Sequence, residues 1–154
     1  MIPMKTAYFD CFSGISGDMI IGALIDLGLD INFLKNELKK FNLKNYDVEA
    51  KKVVKNGIAA TKFDIVIKNR NPHEERNLKE INRIIDNSKL DNETKGAIKK
   101  IFEKIAVAEA KIHDKPIDKI HFHEIGAIDT IIDVAGAVIG FKKLGIGRIH
   151  CSKL

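Results

Sequence analysis

Between residues 125 and 141 the chain is almost continuously apolar, and within that stretch only Asp129 and Asp133 carry charge. Such a segment has to be buried. It is short for a membrane span and holds two carboxylates, so the expectation is a buried helix starting near Gly126. On a helix the two aspartates, four residues apart, stand one above the other. Gly136 and Gly140 extend the same stripe, amid Ile128, Ile131, Ile132, Val134, Val138, Ile139 and Phe141. One narrow face therefore offers two acids and then two positions without side chains. Something must approach it closely: a metal, a ligand or another backbone. The run over residues 121–133, HFHEIGAIDTIID, adds two histidines and a glutamate just upstream. His121 and His123 alternate as strand or extended-loop neighbours do, so both imidazoles can share a face.

The rest of the chain has to supply the cover for that helix. At 154 residues, 45% apolar and 31% charged, it has the size of one globular domain with a real core. The net charge of +5 is mild. Its lysines are scattered, arginine is scarce and aromatics are not interleaved with them, which describes a solvated surface and not a nucleic-acid patch. Cys11 and Cys151 lie far apart in a chain without a signal-peptide pattern, which points to a reducing cytoplasm. Neither nucleic acid nor membrane is an expected partner.

Residues 5–12 (KTAYFDCF) read as a buried strand, followed by a Ser/Gly turn and a helix over 19–27 that Gly28 stops. A second helix over 31–41 places Phe33, Leu34, Leu38 and Phe41 at core spacing. Strands over 46–55 and 58–68 flank Asn56-Gly57, the preferred pair for a type I′ hairpin, with Ala59, Thr61, Phe63, Ile65 and Ile67 on one face. Residues 69–77 are a polar loop. Helices over 78–87 and 92–113 follow, the longer one with a stripe of Ile98, Ile101, Phe102, Ile105, Ala108 and Ile112. After the Asp-bearing helix, Gly145-Ile146-Gly147 turns the chain into a strand over 148–152. The expected fold is α/β (α+β): a single domain with an antiparallel β-hairpin in a small mixed sheet packed by about five helices. The chain stops where an α/β unit would continue, so residues 1–154 are expected to be the amino-terminal domain of a longer protein.

Two groups of residues can carry chemistry. The first is the turn Asp10-Cys11-Phe12-Ser13-Gly14-Ile15-Ser16-Gly17-Asp18. Its Ser13, Gly14, Ser16, Gly17 and Asp18 can present backbone N–H groups to a phosphate or carboxylate at a helix amino terminus. No lysine follows the second glycine and the glycine spacing is wrong, so neither a P-loop nor a dinucleotide fingerprint is present. The plain alternative is a tight turn in which Ser16 or Asp18 is the helix N-cap. Asp10, read as lying inside an apolar strand, is costly unless paired or metal-bound. The second group is His121, His123, Glu124, Asp129 and Asp133. Imidazole with carboxylate suits Mn, Ni, Zn or Fe(II), and carboxylates alone suit Mg. Alternatively, the aspartates partner buried hydroxyls or bases and the histidines belong to an edge strand. His73, in a charged loop, reads as solvated, His113 as a helix-end cation, and Cys11 as a core thiol.

The two motifs YFDCFSGISGDM and HFHEIGAIDTIIDVAGA, in that order and about a hundred residues apart, resemble the LarC family of nickel-insertion proteins. The resemblance covers essentially the whole chain, while the family's proteins are longer and have a carboxyl-terminal domain. It implies a nickel chelatase that inserts Ni(II), in a CTP-dependent reaction, into pyridinium-3,5-bisthiocarboxylic acid mononucleotide. The product is the nickel-pincer nucleotide cofactor of lactate racemase-type enzymes. Mn(II) or Mg(II) accompanies the CTP, and the CTP site falls mainly in the carboxyl-terminal half. The implied partners are the pyridinium mononucleotide and the protein's own carboxyl-terminal domain, with a homo-oligomer left open. Relatives often carry a histidine-rich run where this chain has only Pro72-His73-Glu74-Glu75. Two other classes remain: a metal-dependent hydrolase or nucleotide-processing enzyme, in which paired carboxylates activate water on a cation, and a structural assembly domain whose Asp and Gly stripe packs against the missing half.

Overall fold

A computed structural model describes residues 4–68, 76–122 and 128–153. Its elements in order are β1 (Lys5–Phe9), α1 (Gly17–Asp26), α2 (Ile31–Leu38) with a 3₁₀ turn at Lys39–Phe41, β2 (Tyr46–Lys55) and β3 (Ile58–Ile67). There follow β4 (Arg76–Asn77), α3 (Leu78–Asp86), α4 (Asn92–His113), a 3₁₀ turn at Ile117–Lys119, β5 (His121–Phe122), α5 (Ile128–Leu144) and β6 (Ile146–Cys151). Among the described residues the expected mix of five α-helices with parallel and antiparallel strands is present, and the strands pair two by two.

The hairpin forms where its turn chemistry requires. Asn56 and Gly57 both take positive φ (52° and 78°), as a type I′ turn demands. The ladder then runs in register from Lys55↔Ile58 to Tyr46↔Ile67. Phe63 on its inner face is buried. Helix α1 lies against this hairpin so closely that a Cβ on Gly22 would sit 2.3 Å from the Thr61 carbonyl oxygen. Asp26, at the end of α1, ties the two together by accepting from the Thr61 N–H (3.0 Å) and hydroxyl (2.6 Å).

Helix α5 is the centre of the core. Ile131, Ile132 and Ala135 are fully buried among Ile21, Leu24, Leu34, Ile98 and Phe102, and each large aliphatic contributes about 1.5–3 kcal/mol by leaving water. Helix α4 starts where predicted, N-capped by Asp91. Its buried stripe is Thr94, Ile98, Phe102 and Ala106, whereas Ala108 and Ile112 of the expected stripe are exposed. The helix outruns the partners that cover its first half. Helix α3 opens with a reciprocal capping box, Asn77 with Glu80.

The first strand differs from expectation. It ends at Phe9, and its residues are exposed or half-buried; Tyr8 is 67% exposed. Among the described residues its one strand neighbour is β6, parallel to it, with Phe9 opposite Cys151. The ring of Phe9 meets Phe141 of α5 edge-on at 6.0 Å, while the opposite face is bare among the described residues. A two-stranded sheet backed on one face cannot bury its strands on both sides.

Candidate functional site

The glycine turn and the acidic helix meet. After β1 the chain turns at Cys11–Gly14, where the Gly14 N–H donates to the Cys11 carbonyl (2.9 Å) and Gly14 takes φ +88°. Ser16 then occupies the N-cap position of α1 in extended geometry, but its hydroxyl makes no cap and instead hydrogen-bonds the Asp18 carboxylate. The first residue of α1, Gly17, touches Asp133: a Cβ there would lie 2.5 Å from the Asp133 Cβ. One turn on, a Cβ on Gly136 would meet Ile21 Cδ1 at 2.7 Å, and one on Gly140 would meet Leu24 Cδ1 at 2.8 Å. The close partner of the Asp/Gly stripe is therefore α1. Contacts 17 to 133, 21 to 136 and 24 to 140 advance together, so the two helices run parallel and start at the same end.

That arrangement crowds carboxylates. Asp133 is half-buried, and its Oδ1 is out of water with no hydrogen-bond partner among the described residues. Burial first, then the charges of Asp18 and Asp129, push its pKa up to about 7. Asp129 lies one turn earlier on α5, where a carboxylate oxygen accepts the Thr130 N–H (2.8 Å). Gly17 and Asp133 also line an open cleft of about 760 Å³, whose other walls include Ile101 of α4 and Ile146 and Ile149 of β6. Glu93 and Lys142, also in its lining, are paired with each other at 2.6 Å.

Of the residues singled out by sequence, the structure thus brings together Gly17, Asp18, Asp129 and Asp133. Ser13 and Gly14 are exposed on the turn. Asp10 lies beyond the end of β1 and is exposed. The expected burial cost does not arise, because the strand stops a residue earlier, and its charge acts on Cys11 instead. His121 is placed by its backbone in β5, opposite Asn77. His123 and Glu124 lie outside the described residues, as does His73. His113 makes a 3.3 Å contact with Glu109 one turn back on α4. Among the described residues no group of three or more His, Cys, Asp or Glu side chains is placed so as to hold a metal ion.

One pair escaped the sequence reading. Cys11 and Cys151, 140 residues apart, are free thiols with sulfurs 3.3 Å from each other. Their hydrogen bond, with burial behind it, raises the Cys11 pKa. Only the parallel pairing of β1 with β6 reveals the pair, and spacing along the chain carries no trace of that pairing.

Comparison with known proteins bears on the same motifs. The family described as nickel insertion protein matches residues 7–154. The chain belongs to the nickel insertion protein family. A Dictyoglomus thermophilum member, provisionally named a nickel insertion protein, is 52% identical over 151 residues, covering 98% of this chain and 39% of that protein. The pyridinium-3,5-bisthiocarboxylic acid mononucleotide nickel insertion proteins of Acetivibrio thermocellus and Desulfitobacterium hafniense are 46% and 47% identical over 98% of this chain, and 39% and 37% of their own lengths are covered. The chain thus spans about two fifths of the length of these family members. No solved structure matches it. Among the described residues, no helix is long and apolar enough to cross a membrane.

Proposed function

We propose that this chain is the amino-terminal, cation-handling part of a nickel chelatase. The whole protein inserts Ni(II), its metal substrate, into pyridinium-3,5-bisthiocarboxylic acid mononucleotide. The observation that carries this reading is the Asp133 carboxylate, half-buried, with one oxygen unpartnered among the described residues and two more acids beside it. A group held like that is stabilised by a positive charge, and a divalent cation at Asp133, completed by ligands from beyond the described residues, supplies it. The family membership selects nickel insertion from among the chemistries that such a cluster can serve.

The oxygen donors of this cluster equally suit Mn(II) or Mg(II), the cations that would accompany CTP. Asp133, with Asp18 and Asp129 beside it, would contribute to holding such an ion together with ligands from outside the described residues, and its chemistry would be to neutralise phosphate charge. We assign the CTP itself mainly to the carboxyl-terminal region. His121, His123 and Glu124 precede α5 and stay candidates for the nickel end of the site; Asp10, on the surface, is the weakest of the set. Ser13, Gly14, Ser16 and Gly17 are candidates for a substrate phosphate, with Ser16 the least free because Asp18 engages its hydroxyl.

The assembly reading loses ground, since α1 already fills the glycine stripe. Calorimetry with Ni(II), Mn(II) and Mg(II) on wild type, Asp133→Asn and His121→Ala/His123→Ala separates the others. Site-dependent Ni(II) binding is expected. Absence of Ni(II) binding, or Mg(II) binding coupled to nucleotide hydrolysis, would contradict the proposal and favour a hydrolase.

A further inference from the structure

We propose that Cys11 and Cys151 form a two-thiolate seat for Ni(II) as cargo, at the carboxyl ends of β1 and β6. The inference rests on the nickel-handling reading above but uses none of its ligands. The backbone fixes the pair from both sides: Phe9 lies opposite Cys151 in the parallel ladder, and the Ser152 N–H donates to the Phe9 carbonyl at 2.9 Å. The Cys11 N–H donates in turn to the Ser152 hydroxyl at 2.8 Å. The sulfurs are thereby held 3.3 Å apart as free thiols. Cys11 is 4% exposed and so packs as a core residue does, but Cys151 is exposed. Core packing therefore does not account for a second sulfur at this place, whereas an ion arriving from solvent can reach it.

Donor type and position point the same way. Thiolates are soft ligands that favour nickel over Mg(II) or Mn(II), which the neighbouring carboxylates suit. Ligands of α/β folds gather beyond the carboxyl ends of parallel strands. The segment beginning at Cys11 ends at Gly17 against Asp133, so a single turn joins the thiol pair to the acid cluster. Two protein sulfurs leave the remaining coordination positions open. A cargo ion needs such openings if the next ligand is to take it by exchange. On binding, each thiol releases its proton to solvent and no electrons move.

The test is an anaerobic Ni(II) titration of the purified protein, reduced with a phosphine. Sulfur-to-nickel charge-transfer absorption is followed beside total nickel bound by equilibrium dialysis, for wild type, Cys11→Ser, Cys151→Ser and Asp133→Asn. We expect one thiolate-bound nickel per chain, persisting in excess Mg(II). Either serine variant should weaken it at least tenfold, and Asp133→Asn should leave the absorption band in place. Should Cys11→Ser fold poorly, the exposed Cys151→Ser decides alone. Nickel bound with no thiolate band, and equally by the serine variants, would overturn the seat while leaving the nickel reading intact. No nickel bound by any variant would overturn both.

Discussion

Two aspartates near the starts of helices, Asp91 as the N-cap of α4 and Asp133 in the second turn of α5, are the same residue in opposite circumstances. Asp91 is satisfied on every side. It caps α4 by accepting from the Thr94 N–H (3.0 Å) and hydroxyl (2.7 Å), and Lys142 reaches it at 2.9 Å. Those bonds, led by Lys142, hold its carboxyl well below the usual range. Asp133 has two like charges nearby, a buried oxygen without a partner among the described residues, and a pKa pushed up to about 7. A carboxylate that serves the fold is bonded by the fold. One whose needs the fold leaves unmet stands ready for something the fold does not contain.

The sharpest way to collapse that contrast is to neutralise each acid. Asp133→Asn should lower Mg(II) and Mn(II) affinity at least tenfold by calorimetry, and Asp91→Asn should leave it within about twofold. Equal losses would mean that Asp133 has no special role.

Stability against pH should also divide them. The Asp133 pKa is about 7 in the folded chain against an ordinary 3.8, so the folded state holds that proton more tightly. Its contribution is complete below about pH 4 and is lost as pH rises towards 7, roughly 2–4 kcal/mol once some solvent screening is allowed for. In a urea melt series without divalent cations, Asp133→Asn should abolish that decline. Asp91 runs the other way: its contribution is present above the ordinary carboxylate pKa and is lost as pH falls below it.

Gly17→Ala should then show that the acid is pressed against the turn. Its new Cβ forces Asp133 to move, costing about 1–3 kcal/mol and weakening cation binding as well. The smallest effect belongs to Lys142→Met. Removing its two exposed ion pairs, with Asp91 and Glu93, should lower Tm by only about 1–4 °C, less so at high salt, with cation affinity unchanged.

Part of the fold, and the place of Asp133 within it, could be read from the residues. Asn56-Gly57 dictated its hairpin through the positive φ that both positions take, and the four-residue spacing of Asp129 and Asp133 placed them correctly on a buried helix. What filled the stripe was not legible, because the match of Gly17, Ile21 and Leu24 to positions 133, 136 and 140 is a relation between two helices. The exposure of β1 was missed for the same reason. KTAYFDCF carries strand propensity, but burial depends on how many layers cover it. Cys11 and Cys151 could not be paired without knowing that β1 and β6 are neighbours.

The most direct test of a cation seat at α1 and α5 is the titration of the Asp133 carboxyl carbon by NMR, with and without Ni(II) or Mg(II). A midpoint near 7 in the free protein, falling below the ordinary carboxylate value once the cation is added, is the expected result. A midpoint near 4 that no divalent cation shifts would contradict it.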